Sequence, residues 1–186
     1  MSAKLERHLF TIDDYHQMIK TGILKKQHQV ELIEGEILEM SPIGSRHASI
    51  VDRLNRSLNR QVEDSAIVRV QSPVIMNDLS EPQPDITVVR YKEDFYEQEH
   101  PQVQDIFLII EISDTTTVYD RDIKIPLYAS AGIQVVWLFD LASQIVDVYT
   151  DPVFGRYNLI QRQNKNSVLL LPSLPTIRID LSSIFR

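Results

Sequence analysis

The chain of 186 residues contains no cysteine. Disulfides, thiol nucleophiles and cysteine-based zinc sites are thereby excluded, and the composition suits a reducing cytoplasm. No apolar run approaches the ~20 residues of a membrane span. The start, "MSAKLERHLF", lacks the long apolar stretch of a secretory leader. We therefore expect a cytoplasmic protein with no membrane contact. Basic residues are outnumbered, 19 Lys and Arg against 26 Asp and Glu, for a formal net charge of −7. That balance argues against a generic nucleic-acid coat held by phosphate neutralisation. It leaves room for an enzyme acting on DNA, because carboxylates gathered to hold metal make a site acidic and local basic patches can still face phosphates. The sequence also lacks internal repeats, low-complexity tracts, a clear linker, a helix-turn-helix and a zinc finger. Its five histidines have no zinc-site spacing.

What is present reads as one domain over residues 1–186, long enough to bury a core without staples. "TIDDYHQMI" predicts a short helix with Thr11 as N-cap and Asp14 three residues on, as in a capping box. "QVELIEGEILEM" predicts two strands joined at Glu34-Gly35. From about Arg46 to Glu63, Ile50, Val51, Leu54, Leu58 and Val62 recur at helical spacing, opposite Asp52, Arg53, Arg56, Asn59 and Arg60. "AIVRV" and "PVIM" predict strand segments. A second helix is expected from about Tyr119 to Ala131, stopped near Gly132, with Pro126 either kinking it or sitting in a first turn. "QVVWLFD" predicts a buried strand with Trp137 in the core, and "QIVDVYT", "RYNLI" and "SVLLL" predict short strands. This order gives an α/β (α+β) domain around one mixed sheet.

Two stretches place a carboxylate at the edge of an apolar run. In "EPQPDITVVR", Asp85 opens Ile86 to Val89; in "DIFLIIEISD", Glu111 closes Ile106 to Ile110. Two carboxylates at adjacent strand ends can share a hard divalent cation such as magnesium, which takes oxygen ligands and keeps several waters. A cation so placed can activate water and offset charge developing on a phosphate. Lys124, four residues after Asp120 on one helical face, is a candidate to stabilise the same charge. The acidic pair alone leaves a plainer reading open, because an Asp after Pro also serves as a turn residue and a strand-ending Glu also reaches solvent.

"PD" followed by an apolar strand, then "EIS" closing the next, resembles the PD-(D/E)XK motif of restriction-endonuclease-like nucleases. With "ELIEGEILEMSP", "RHASIV", "EISDTTTVYDRDIKIPLYASAGI" and "VVWLFDL", the chain is more closely similar to the Uma-two family of endonuclease-like proteins within that superfamily. These segments cover most of residues 30–150. The resemblance implies a restriction-endonuclease-like core: a central mixed β-sheet flanked by helices, with an N-terminal hairpin and extra C-terminal strands. It implies that Asp85 and Glu111 bind metal, magnesium or alternatively manganese, and that the chain is an endodeoxyribonuclease acting on DNA. A homodimer is expected by analogy with compact nucleases of this fold.

Two positions depart from the pattern. The motif lysine falls on Ser113, and the family's helix instead matches Asp120, Lys124 and Tyr128, so that Lys124 looks like a lysine moved from strand to helix. Val135 stands where relatives carry a Glu. Glu31 is expected to point inward with a partner; His47 at the start of the first long helix either supports the site or faces solvent, and Gln71 on the strand beside Asp85 either orients water or a ligand or is an ordinary strand polar residue. Replacing Lys124 by alanine is expected to leave folding nearly intact while lowering cleavage. Two other readings stay open: a catalytically silent member of the fold acting as a DNA-binding or oligomerisation module, favoured by the missing in-register lysine, and an enzyme acting on RNA.

Overall fold

The computed structural model describes residues 7–25, 29–114 and 117–186. Residues 1–6, part of the start read above for a leader, lie outside the described residues. Helix α1, Ile12–Lys20, begins with the expected capping box: Thr11 accepts from the Asp14 amide, and the Asp14 carboxylate accepts from the Thr11 amide. Its buried residue, Tyr15, donates its hydroxyl to the Val30 carbonyl at 3.0 Å. Strands β1, Val30–Ile33, and β2, Glu36–Glu39, pair antiparallel as a separate hairpin. Glu34 and Gly35 turn it at φ 49° and 79°, the left-handed backbone that a two-residue hairpin loop requires.

Helix α2, Ser45–Val62, matches the predicted helix to within a residue at each end, and its five buried residues are the apolar ones read from spacing. The chain then enters a six-stranded sheet. Its strands are β3, Ala66–Val70; β4, Ile86–Arg90; β5, Ile106–Ser113; β6, Val135–Asp140; β7, Ile145–Val153; and β8, Arg156–Asn164. They lie in chain order, and only β5 and β6 pair in parallel. A parallel pair needs a crossover, which the intervening helical segment supplies.

That segment departs from a simple helix. It runs as α3, Thr117–Tyr119, a π-helical turn, Asp120–Lys124, and α4, Ile125–Ala131, ending at Gly132 with φ 86°. Pro126 sits in the first turn of α4. An α-helix continued through Pro126 would clash at the carbonyl four residues back, and the wider turn, with the Ile125 amide donating to Asp120, accommodates it.

Side chains alternate across the sheet. Ile86, Val88, Leu108, Ile110, Ile112, Trp137 and Phe139 pack under α2. Val89, Ile109, Val136 and Leu138 pack under α4, with Tyr128. Each such side chain buried contributes about 1.5–3 kcal/mol. Trp137 is core, as expected, and fully buried.

The segment "PVIM" is not a strand. Gln71 leaves β3 with φ 45°, and the amides of Val74, Ile75 and Met76 donate instead to the carbonyls of Pro82, Pro101 and Ser80. "SVLLL" contributes β9, Val168–Leu170, which pairs outside the main sheet with β10, Arg178–Asp180; α5, Leu181–Ile184, follows.

Candidate active site

Asp85 precedes β4 by one residue, and Glu111 lies near the end of β5. Ile86 pairs with Ile110 in the antiparallel register, so the next rung sets Asp85 opposite Glu111. Past that rung the ladder is continued by a side chain, as the Ile112 amide donates to Asp85 Oδ2 at 2.8 Å. The other oxygen, Oδ1, lies 2.8 Å from His47 Nε2. His47 reaches it from the first turn of α2. The hydrogen bond to Asp85 raises the His47 pKa, opposed by burial and aided by the charges of Asp85, Asp120 and Asp114.

Glu111 is almost wholly buried. Tyr128 donates its hydroxyl to Glu111 Oε1, and Lys124 Nζ lies 3.3 Å from the same oxygen. Burial dominates and pushes the Glu111 pKa up to about 8; Lys124 draws it down, Asp85 and Asp120 push it up, and the Tyr128 hydrogen bond lowers it. The register that sets Asp85 opposite Glu111 gives this effect its cause, since like charges held close resist double ionisation.

Lys124 also bridges to the hairpin. Its Nζ lies 3.2 Å from Glu31 Oε2, which accepts from the Gln83 amide at 3.0 Å, while Glu31 Oε1 accepts from the Tyr119 hydroxyl at 3.1 Å. Burial opposes the Lys124 charge, but Glu111 and Glu31 outweigh it and hold the pKa above the ordinary lysine range. Lys124 therefore points at the sheet, as the sequence suggested. Its removal is therefore expected to weaken folding as well, against the sequence-based expectation of a nearly intact fold, because a buried cation between two buried carboxylates is a structural tie as well as a chemical one.

The other sequence candidates distribute unevenly. Asp120 is buried and accepts a hydrogen bond from the Ser113 hydroxyl, so the residue at the motif-lysine position steadies an acid. Tyr128 reaches Glu111 directly. Gln71 lines the cleft but is exposed, and its backbone amide, donating to the Asp85 carbonyl at 3.0 Å, makes the contact to Asp85. Val135 packs into the apolar layer under α2, so the acid of relatives has no counterpart there. Sequence reasoning missed Tyr119 and Gln83 as partners of Glu31. Spacing could not reveal them, because they meet Glu31 only across the hairpin.

Glu31, His47, Asp85, Glu111, Asp120 and Lys124 line a cleft of about 750 Å³. The same cleft is also lined by Tyr15, Ile19, Leu24, Met40, Pro42 and Ile43. As a metal donor set, the floor offers two all-oxygen carboxylates, Asp85 and Glu111, which suits a hard cation that keeps waters or substrate oxygens in its remaining positions. Among the described residues no three His, Asp or Glu side chains converge as a closed metal cage. The residues fit a two-carboxylate mount.

The profile of the Uma2 family, described as "Putative restriction endonuclease", matches residues 12–182. A crystal structure of a "putative nuclease belonging to DUF820" from Anabaena variabilis ATCC 29413 has the same fold, with a TM-score of 0.72 at 19% identity over 95% of this chain and 97% of that one. No curated protein matches the chain.

Proposed function

Because the chain belongs to the Uma2 (Uma-two) family of restriction-endonuclease-like proteins, we propose that its cleft hydrolyses DNA phosphodiester bonds with a divalent cation, magnesium or manganese. The observation that carries this reading is the meeting of Asp85, Glu111 and Lys124 on the cleft floor. Asp85 and Glu111 would hold the cation, which when bound supplies Lewis-acid polarisation of a phosphoryl oxygen and a more acidic water. His47 and the Ile112 amide orient Asp85, and Tyr128 orients Glu111. Burial favours the protonated form of Glu111, so this residue would have to give up that proton to serve as a ligand. Lys124 places a fixed positive charge beside the carboxylates, where charge develops on the phosphate. A homodimer and a cytoplasmic setting belong to the same proposal; light scattering on the purified protein reads the first. Among the described residues no helix is long and apolar enough to cross a membrane.

One observation favours a silent module instead. Both carboxylates are already paired internally, Asp85 with His47 and the Ile112 amide, Glu111 with Lys124 and Tyr128. Incubating supercoiled plasmid with the protein and magnesium or manganese separates the two readings. Nicking by wild type and none by Asp85→Ala supports hydrolysis; no nicking by either supports the silent module.

A further inference from the structure

The cleft poses an electrostatic problem for the substrate just proposed. Its walls carry Glu31, Glu39, Asp85, Glu111, Asp114 and Asp120, against Lys25, Lys124 and His47. A cation offsets this charge where the reaction occurs, but the phosphates on either side need positive partners elsewhere.

Helix α2 supplies them. In a chain of net charge −7, its 18 residues hold Arg46, Arg53, Arg56 and Arg60 with one acid, Asp52. At 3.6 residues per turn the four arginines fall within about 80° of arc, and Arg46, Arg53 and Arg60 follow one another at about 10 Å along the axis. The buried residues Ile50, Val51, Leu54, Leu58 and Val62 hold the opposite face against the sheet, so this face is turned outward. Arg46, Arg56 and Arg60 are exposed and Arg53 is partly so.

The stripe is extended by chain-distant residues. Arg186 and Arg53 line one small pocket with Arg46, and the Arg178 amide donates to Gln61 Oε1 at 2.7 Å, setting exposed Arg178 beside the end of the helix. It is also continuous with the cleft. Arg46 pairs with the cleft-lining Asp114 at 3.4 Å, and its neighbour His47 bonds Asp85.

We propose that this arginine face of α2 is the docking surface for duplex DNA, seating the phosphate backbone that leads to the cleft. The inference rests on the hydrolase reading for its ligand, and on charge and placement for its site. A helix of 18 residues, about 27 Å long, carries these cations in a row suited to a stiff duplex, with Arg46 held by the Leu141 carbonyl and Arg53 by those of Ile184 and Arg186. Guanidinium groups spaced along a helix contact phosphates without reading base sequence, so binding is salt-dependent and largely sequence-independent.

The test measures fluorescence anisotropy of labelled duplex and single-stranded oligodeoxynucleotides of several sequences, in EDTA, across a salt series. The Arg56 and Arg60 side chains make no hydrogen bond or ion pair with other described residues, so Arg56→Glu/Arg60→Glu alters charge without dismantling the fold, which melting temperature checks. The double reversal should weaken duplex binding by about tenfold or more for every sequence and lower the salt slope by about 2. Arg56→Lys/Arg60→Lys should retain most binding, and Lys165→Glu, on the exposed turn after β8, should leave it unchanged. The proposal is overturned if the double reversal binds no more weakly than Lys165→Glu, if wild type does not bind duplex, or if single strands bind equally well. Plasmid nicking is scored separately. Binding through α2 without nicking removes the hydrolase reading and leaves the docking face standing; nicking with unaltered binding in the double reversal does the opposite.

Discussion

Asp85 and Glu111 face each other across one rung of the sheet, yet the two acids live in different surroundings. Asp85 sits at the rim, held by His47 from α2 and by a β5 amide. Glu111 is sealed beneath the π-helical turn and α4, held by Lys124 and Tyr128. Burial dominates the titration of Glu111, while a hydrogen bond to Asp85 dominates that of His47. The contrast shows how a fold can supply one acid ready to meet solvent and another poised to hold a proton, from two residues with similar sequence surroundings.

The sharpest way to break the contrast is at Lys124. Lys124→Ala strips the shared cation from Glu31 and Glu111 and should cost about 3–5 kcal/mol of stability where Glu111 is ionised, above pH about 8, and less where it holds its proton, read as a lower denaturation midpoint in urea. On the proposed function it should also lower plasmid cleavage by a hundredfold or more at a temperature where the variant stays folded, on the order of one lost transition-state contact. At the rim, Asp85→Ala should abolish nicking, a loss of more than about 3 kcal/mol in transition-state terms, with a smaller effect on folding than Lys124→Ala.

Tyr128→Phe tests the sealed side more gently. It leaves the buried Glu111 oxygen short of one donor, a cost of about 1–3 kcal/mol, and should raise the Glu111 pKa further because the Tyr128 hydrogen bond now lowers it.

Glu111 and His47 also predict a pH dependence in the metal-free protein. For Glu111 the folded pKa lies above the unfolded one, so the native state binds the extra proton. Its contribution is fully present below the ordinary carboxylate pKa and is lost as pH rises toward about 8. For His47 the folded pKa is also raised, so its contribution is present below the ordinary imidazole range and lost as pH rises through the folded value. Melting temperature should therefore fall with rising pH across both windows, with Glu111→Gln flattening the carboxylate part and His47→Gln the imidazole part. A curve identical in wild type and both variants would remove the contrast. The smallest expected effect is on cation binding: magnesium or manganese at ten times its dissociation constant should add ~1.4 kcal/mol to wild type and nothing to Asp85→Ala, seen as a shift in melting temperature.

Much of the fold was legible because its signals are local. The α2 face showed as apolar residues at helical spacing, the hairpin as Glu34-Gly35, and the α1 start as Thr11 with Asp14. The failures share a cause. "PVIM" looks like a strand by composition, but Gln71 turns the chain and the backbone partners lie in other loops. Strand β10 and helix α5 are too short to display any period. The lysine was placed correctly, while its structural duty was missed, because Glu31 lies 93 positions away on a separate hairpin.

The sequence by itself determined which residue types stand at the strand ends, the acidic balance of the chain, the amphipathic α2 and the absence of thiol chemistry. These follow from composition and from periods of two and 3.6 residues, which act over a few neighbours. Only the tertiary structure decided that Asp85 belongs with His47, that Lys124 ties Glu111 to Glu31, and that Arg46 of α2 pairs with Asp114 of the cleft. Such pairings depend on register, on the π-helical turn ahead of Pro126 and on how the hairpin packs against the sheet. The same contacts set the burial of each carboxylate, so proton affinity is a property of the assembled fold rather than of the residue.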